Sequence, residues 1–144
     1  MQPQPPQPGV RMASAHQAAG NNAAAEQSLR KALEITPNLL PAQQGLAALA
    51  MVAKKPGDAL AIARNVQKQR PKEAAGYLLE GDIYTAGKEW DKAVEAFRAG
   101  LKQVSNPDLA VRLHGALLAA GKKPEAARWA AEWLRSQPKD AVFP

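Results

Sequence analysis

The sequence contains no cysteine, which excludes disulfides, thiolate zinc clusters and thiol nucleophiles. Its two histidines, His16 and His114, stand in different parts of the chain, and no metal-binding His-x-x-x-His spacing occurs. Glycine-rich phosphate loops and the Gly-x-Ser-x-Gly elbow of serine hydrolases are also missing. We therefore expect a protein that is not an enzyme and that binds no metal and no cofactor.

Aromatic residues make up only 5% of the 144 residues, and runs of Val, Ile, Thr and Tyr typical of strands are almost absent. Alanine and leucine dominate instead, which favours helices throughout a single domain. The longest apolar stretch, 46–53, is much shorter than the roughly 18–20 residues of a transmembrane helix, so we expect none in this chain.

The segment 1–8 contains four prolines and lacks the positive charge and apolar run of a signal peptide. Its composition predicts a solvated linker or tail that contributes nothing to a core. Residues 141–144 are interpreted as a second tail, and no targeting signal is expected within the chain.

Proline and alanine recur with a fixed register. Pro37 and Pro71 are 34 residues apart, and Pro138 follows 67 residues later. An alanine precedes each of these prolines by twelve residues: Ala25, Ala59 and Ala126. A fourth copy has Ala93 at the same offset from Ser105, with Pro107 two residues beyond. An unrelated helical bundle is the alternative, but a bundle has no reason to keep this register.

This register resembles that of the tetratricopeptide repeat (TPR) family, whose period is 34 residues. The copy most similar to the family pattern consists of Tyr77, Gly81, Tyr84, Trp90, Ala93, Phe97 and Gly100. It departs from the pattern at Glu80, where leucine is usual, and at Ser105. The resemblance implies an all-α, right-handed superhelix of about four helical hairpins over 9–140. The repeats would span 9–39, 40–73, 74–106 and 107–140.

Within each repeat, small residues allow two helices to cross closely and proline ends the second helix. Gly20, Gly87 and Gly121 are predicted to allow the chain to turn back after the first helix. The predicted helices cover 9–19, 22–36, 40–53, 58–70, 73–86, 89–104, 108–120 and 123–137.

Three phrases, at 70–82, 109–122 and 133–140, resemble more narrowly the large TPR lipoproteins of bacterial PEP-CTERM/exosortase systems, which are linked to exopolysaccharide export. This resemblance implies a non-catalytic protein–protein interaction scaffold for such export or for protein sorting. The chain would then be an excerpt of a longer periplasmic or outer-membrane-associated protein. No cysteine is present here to carry the lipid.

The family's working surface is the concave face, formed by the first helix of each repeat. Groove positions of the family map onto Gln44, Met51, Leu78, Asp82, Val111 and Leu118. The lysines and asparagines with which some members clamp a carboxylate are not at these positions, so we expect an apolar helix or strand of a protein or peptide partner. Simple packing of these residues against neighbouring helices is the alternative.

The net charge is +6, with one group of basic residues at 54–72 and another at 122–139. These groups suggest a second interpretation, a module that binds a polyanion, either an acidic polysaccharide or a nucleic acid, through its basic helix faces. Nucleic acid is the less favoured of the two, because the aromatic residues occupy core-type positions rather than alternating with the cations. Trp129 and Trp133 lie on one face of the last helix and predict weak self-association through that end.

Overall fold

The structure, a computed structural model, describes residues 21–136. Over this range it contains seven α-helices and no strand, which confirms the predicted all-α helical-repeat fold. The helices are α1 (Asn22–Ile35), α2 (Leu40–Val52), α3 (Pro56–Gln69), α4 (Ala75–Ala86), α5 (Trp90–Gln103), α6 (Pro107–Ala119) and α7 (Lys123–Ser136). Their ends differ from the predicted ones by no more than two residues. The predicted helix 9–19 and the tails 1–8 and 141–144 lie outside the described residues.

The chain divides into two compact units, residues 1–69 and 70–144. In the first unit α2 packs against both α1 and α3. In the second, the hairpins α4–α5 and α6–α7 pack together mainly through α5 and α6, with α4 also in contact with α6. The second unit therefore brings the first helices of two consecutive hairpins side by side.

Proline and asparagine explain where several helices begin and end. Helix α1 ends two residues before Pro37 and α3 ends two residues before Pro71, because a proline disfavours helical backbone at the residue before it. Helix α6 begins at Pro107, whose missing N–H is not needed in a first turn. The side chain of Asn106 caps this helix by accepting a hydrogen bond of 3.1 Å from the backbone N–H of Leu109.

The core of the second unit is built from side chains of α5, α6 and α7. Its fully buried members include Phe97, Leu109, Leu113 and Leu117. The alanines predicted at helix crossings, Ala59, Ala93 and Ala126, are 0% exposed in their respective units. Larger residues at these positions would have to displace a neighbouring helix, which explains why the repeat requires alanine.

The turns inside the three complete hairpins repeat one conformation. One residue of each turn has a positive φ: Lys54 between α2 and α3 (φ 60°), Lys88 between α4 and α5 (φ 59°), and Gly121 between α6 and α7 (φ 79°). Gly87, which precedes Lys88, has a φ of −88°. After the residue with the positive φ the chain closes a Schellman turn, in which the N–H of Glu89, for example, donates to the carbonyl of Tyr84 at 2.9 Å. The predicted role of Gly87 was therefore assigned one residue too early, because Lys88 takes the left-handed position.

Replacing Lys88 by glycine should raise the free energy of unfolding by about 0.5–1 kcal/mol, since glycine adopts a positive φ without the clash of a Cβ atom. Urea denaturation followed by circular dichroism measures the change. The reciprocal variant Gly121→Ala should lose about 1 kcal/mol at the equivalent turn. A Lys88→Gly variant less stable than the parent chain would contradict this account of the turn.

Candidate functional site

A groove runs between α4 and α6 in the second unit. Leu78, Asp82 and Thr85 lie at positions i, i+4 and i+7 of α4, and Val111, Gly115 and Leu118 have the same spacing in α6. This spacing places each set on one face of its helix. These six residues, together with Arg112, define the α4–α6 groove. Four of the six residues proposed from the sequence as partner-binding, Leu78, Asp82, Val111 and Leu118, therefore share these two helix faces, and their role in binding stays a prediction.

Two apolar side chains of the groove are unusually accessible. Val111 and Leu118 are each 43% exposed, and the other large apolar side chains exposed in residues 21–136 are Ile35 and Val52. Val111 and Leu118 are also two turns apart on the same helix. Two exposed apolar side chains on one face offer a partner a larger apolar contact area than a single exposed side chain would.

An ion pair joins the two helices across the groove. The guanidinium of Arg112 donates a hydrogen bond to the carboxylate of Asp82, and both side chains remain partly exposed. Asp82 was proposed from the sequence, but Arg112 was not. Asp82 and Arg112 are 30 residues apart, which is about one helical turn less than the 34-residue repeat. Searching the sequence for opposite charges at this separation could have revealed the pair.

Leu78 is less accessible than the sequence interpretation assumed. It is half-buried and packs against the core of the second unit, which includes Leu109 and Leu113. Substitution of Leu78 would therefore affect folding as well as any partner. Leu118 is the cleaner probe of the groove because it is exposed.

A small pocket opens in the middle of the groove. Its volume is about 240 Å³, and its lining consists of Asp82, Thr85, Trp90, Phe97, Arg112, Gly115 and Ala116. A Cβ atom added to Gly115 would have no neighbour within 4 Å. The open space above this glycine could not be foreseen, because it depends on where the side chains of α4 and α5 end.

The remaining proposed groove residues, Gln44 and Met51, lie on α2 in the first unit. Gln44 is exposed and Met51 is half-buried. A larger pocket of about 410 Å³ lies in the same unit between α1 and α3, over α2. It was not predicted, and its lining includes the buried Gln43, whose amide Nε2 donates to the Oε1 of Gln69 at 2.7 Å.

The two tryptophans of α7 stack on each other, with ring centroids 5.8 Å apart and an angle of 19° between the planes. They share one face, as expected, but Trp133 is only 9% exposed and Trp129 packs against the core of the second unit. Most of the apolar area required for end-to-end contact is therefore covered within this unit. Self-association through this end stays a prediction.

His114 is half-buried on α6, and His16 lies outside the described residues. Residues 21–136 contain no group of three or more His, Asp or Glu side chains arranged to hold a metal ion. Within the same range, none of the helices combines the length and the apolar character needed to cross a membrane.

A family model described as "Tetratricopeptide repeat" matches residues 45–110 and 89–141, which together are well over half of the chain. No match was found among curated proteins.

Several solved structures are similar in fold. A MamA structure comprising residues 41 to the end, from Desulfovibrio magneticus RS-1, is 20% identical, with a TM-score of 0.67 over 95% of this chain and 78% of its own. PilF of Pseudomonas aeruginosa is 21% identical, with a TM-score of 0.69 over 90% of this chain and 60% of its own. A thermophilic TPR protein of Thermus thermophilus is 20% identical, with a TM-score of 0.50 over 94% of this chain and 93% of its own. At these identities the likeness concerns the fold alone.

Proposed function

Because the chain belongs to the tetratricopeptide repeat family, we propose that it is a non-catalytic scaffold that holds another protein through the α4–α6 groove. Proteins of this family generally mediate protein–protein interactions. Stacked helical hairpins suit that role because their first helices together form an extended and rigid binding surface.

One observation carries the proposal: Val111 and Leu118 are both exposed on one face of α6, the helix that contacts α4. The two side chains flank Gly115, where the backbone of α6 can be approached closely. An amphipathic helix or an extended segment of a partner could place apolar side chains against this surface. The Asp82–Arg112 pair adds a polar feature that would orient such a segment.

Replacing Leu118 by glutamate should abolish capture of the partner from the native organism's envelope fraction, because a carboxylate would be desolvated in the contact. Its helical content and melting temperature should stay close to those of the unmodified chain, since the side chain is already 43% exposed. Affinity capture with quantitative mass spectrometry measures the loss.

The matched control is Ile35→Glu, the same kind of change at an exposed apolar residue of α1, outside the groove. It should leave capture unchanged. Equal capture by the Leu118→Glu variant and the unmodified chain would contradict a role for the groove, and an unfolded Leu118→Glu variant would show that Leu118 serves packing instead.

We further propose that the scaffold belongs to a bacterial envelope assembly for exopolysaccharide export or protein sorting. The phrases at 70–82, 109–122 and 133–140 support this proposal through their resemblance to PEP-CTERM-associated lipoproteins. A periplasmic or outer-membrane-associated location in the full-length protein follows from the same resemblance. Recovery of the partner from the cytosolic fraction, and not from the envelope fraction, would contradict it.

The second candidate function is the binding of an acidic polysaccharide. It is favoured by Lys54 and Lys55, which are exposed at the α2–α3 turn, and by Arg64 and Lys68 on the exposed side of α3. Binding of alginate should weaken steeply with rising salt if these cations carry it, because association would release counterions. Capture through the apolar groove should depend little on salt, so one salt series separates the two functions.

A further inference from the structure

The pocket at the centre of the α4–α6 groove, here called the Gly115 socket, has the size of one side chain. Its volume of about 240 Å³ is below the range of roughly 300–1,000 Å³ typical of sites for small molecules. A cavity of about 150 Å³ is already enough for a benzene ring in another protein. The socket therefore has room for a single large side chain of a partner.

The carboxylate, guanidinium and hydroxyl groups that line the socket already have partners. Asp82 and Arg112 pair with each other, and the hydroxyl of Thr85 donates to the carbonyl of Gly81 at 2.8 Å. A charged occupant would compete with an ion pair that is already formed and partly exposed, so it would gain little from either member. The lining accordingly favours an uncharged side chain.

The remaining walls favour an aromatic occupant. The half-buried Trp90 belongs to the lining, and the nearly covered Phe97 and Ala116 lie at its base. The guanidinium of Arg112, held by Asp82, offers a cation to the face of a ring. Aromatic pairs and cation–π contacts would both be available to a ring in this place, whereas an aliphatic chain would gain neither.

We propose that the Gly115 socket receives one aromatic side chain, of phenylalanine type, from the protein partner. This inference rests on the proposed function of the groove and specifies which residue of the partner anchors it. Gly115 is the feature that keeps the socket open, because any side chain at this position of α6 would grow into the space.

A titration of the ¹⁵N-labelled chain with N-acetyl-phenylalaninamide tests the proposal directly, without the natural partner. The amide signals of Thr85, Gly115 and Ala116 should shift in a saturable way, together with the indole signal of Trp90. N-acetyl-lysinamide at the same concentrations should leave them in place. Equal shifts with both probes, or no shifts with the aromatic one, would overturn the proposal.

Gly115→Leu is the variant that fills the socket without a clash, since nothing lies within 4 Å of its Cβ position. Its melting temperature should equal or exceed that of the parent chain, because leucine favours the helix, while the response to N-acetyl-phenylalaninamide should disappear. Ala127→Leu, on an exposed position of α7, is the matched control and should retain the response. A full response in the Gly115→Leu variant would overturn the assignment of the socket.

The capture experiment separates failure of the socket from failure of the groove. If Leu118→Glu loses the partner and Gly115→Leu retains it, the groove binds but the socket does not anchor. If both variants retain the partner, the groove itself is not the binding surface. Loss in both, with Ala127→Leu unaffected, is the result that we expect.

Discussion

Replacing Phe97 by alanine should lower the free energy of unfolding by about 3–5 kcal/mol, the largest single effect expected in this protein. Phe97 is 1% exposed and belongs to the core that α5, α6 and α7 share. Removing its ring would cost transfer free energy and leave a cavity that the neighbouring helices cannot fully close. Urea denaturation followed by circular dichroism measures the loss.

Ile35→Ala is the control for Phe97→Ala, since Ile35 is 59% exposed and should cost only about 0.5 kcal/mol or less. A loss below about 1 kcal/mol for Phe97→Ala would show that the second unit can collapse around the missing ring. In that case the core would be less closely packed than its burial indicates.

Replacing Gly81 by alanine should destabilise the protein by about 1–3 kcal/mol, although alanine is the better helix former. A Cβ atom at this position would lie 2.1 Å from Cε1 of Phe97 and 2.4 Å from its Cζ. The ring is buried, so relief requires α4 and α5 to move apart. Denaturation of the variant alongside the parent chain gives the difference.

Gly115→Ala is the matched control, a glycine-to-alanine change inside α6 with no atom within 4 Å of the new Cβ. It should stabilise the protein by about 0.5–1 kcal/mol, because alanine loses less conformational freedom in a helix than glycine. Opposite signs for the two variants are therefore expected. Equal effects would contradict the close approach of α4 and α5 at Gly81.

The contact between Gly81 and Phe97 also predicts that the two substitutions are not additive. In a Phe97→Leu background the methyl group of Gly81→Ala has more room, so the penalty of that substitution should shrink. A double-mutant cycle measures this coupling. Additive losses would mean that the methyl group meets an obstacle other than the Phe97 ring.

The sequence was a good guide to the groove only where it depends on position along a helix. The spacing of Val111 and Leu118 placed them correctly on one face of α6, as they are two turns apart. The same reasoning could not show that Leu78 packs against the core, because its neighbours come from other helices. Nor did it find Arg112, whose partner Asp82 belongs to the preceding hairpin.

For the turns, too, the sequence predicted the location correctly but not, after α4, the residue that carries the positive φ. The register of the repeat correctly located the three turns that follow α2, α4 and α6. It assigned the turn after α4 to Gly87 on residue type alone, whereas the backbone requires the positive φ at Lys88. A lysine can occupy that position when the hydrogen bonds of the Schellman turn and the packing of the hairpin offset the strain.

For residues 21–136 the sequence by itself determined the helices, their ends to within two residues and their membership in a repeat, because proline, alanine and the helical period act over a few residues or through a fixed 34-residue register. Only the tertiary structure decided which of two helical glycines is covered by an aromatic ring and which borders the open Gly115 socket. Gly81 and Gly115 are the same residue type inside a helix, but a Cβ atom added to the first would lie 2.1 Å from the Phe97 ring, whereas one added to the second would meet open space. The difference lies in side chains supplied by a neighbouring helix, and no local pattern in the sequence contains that distance.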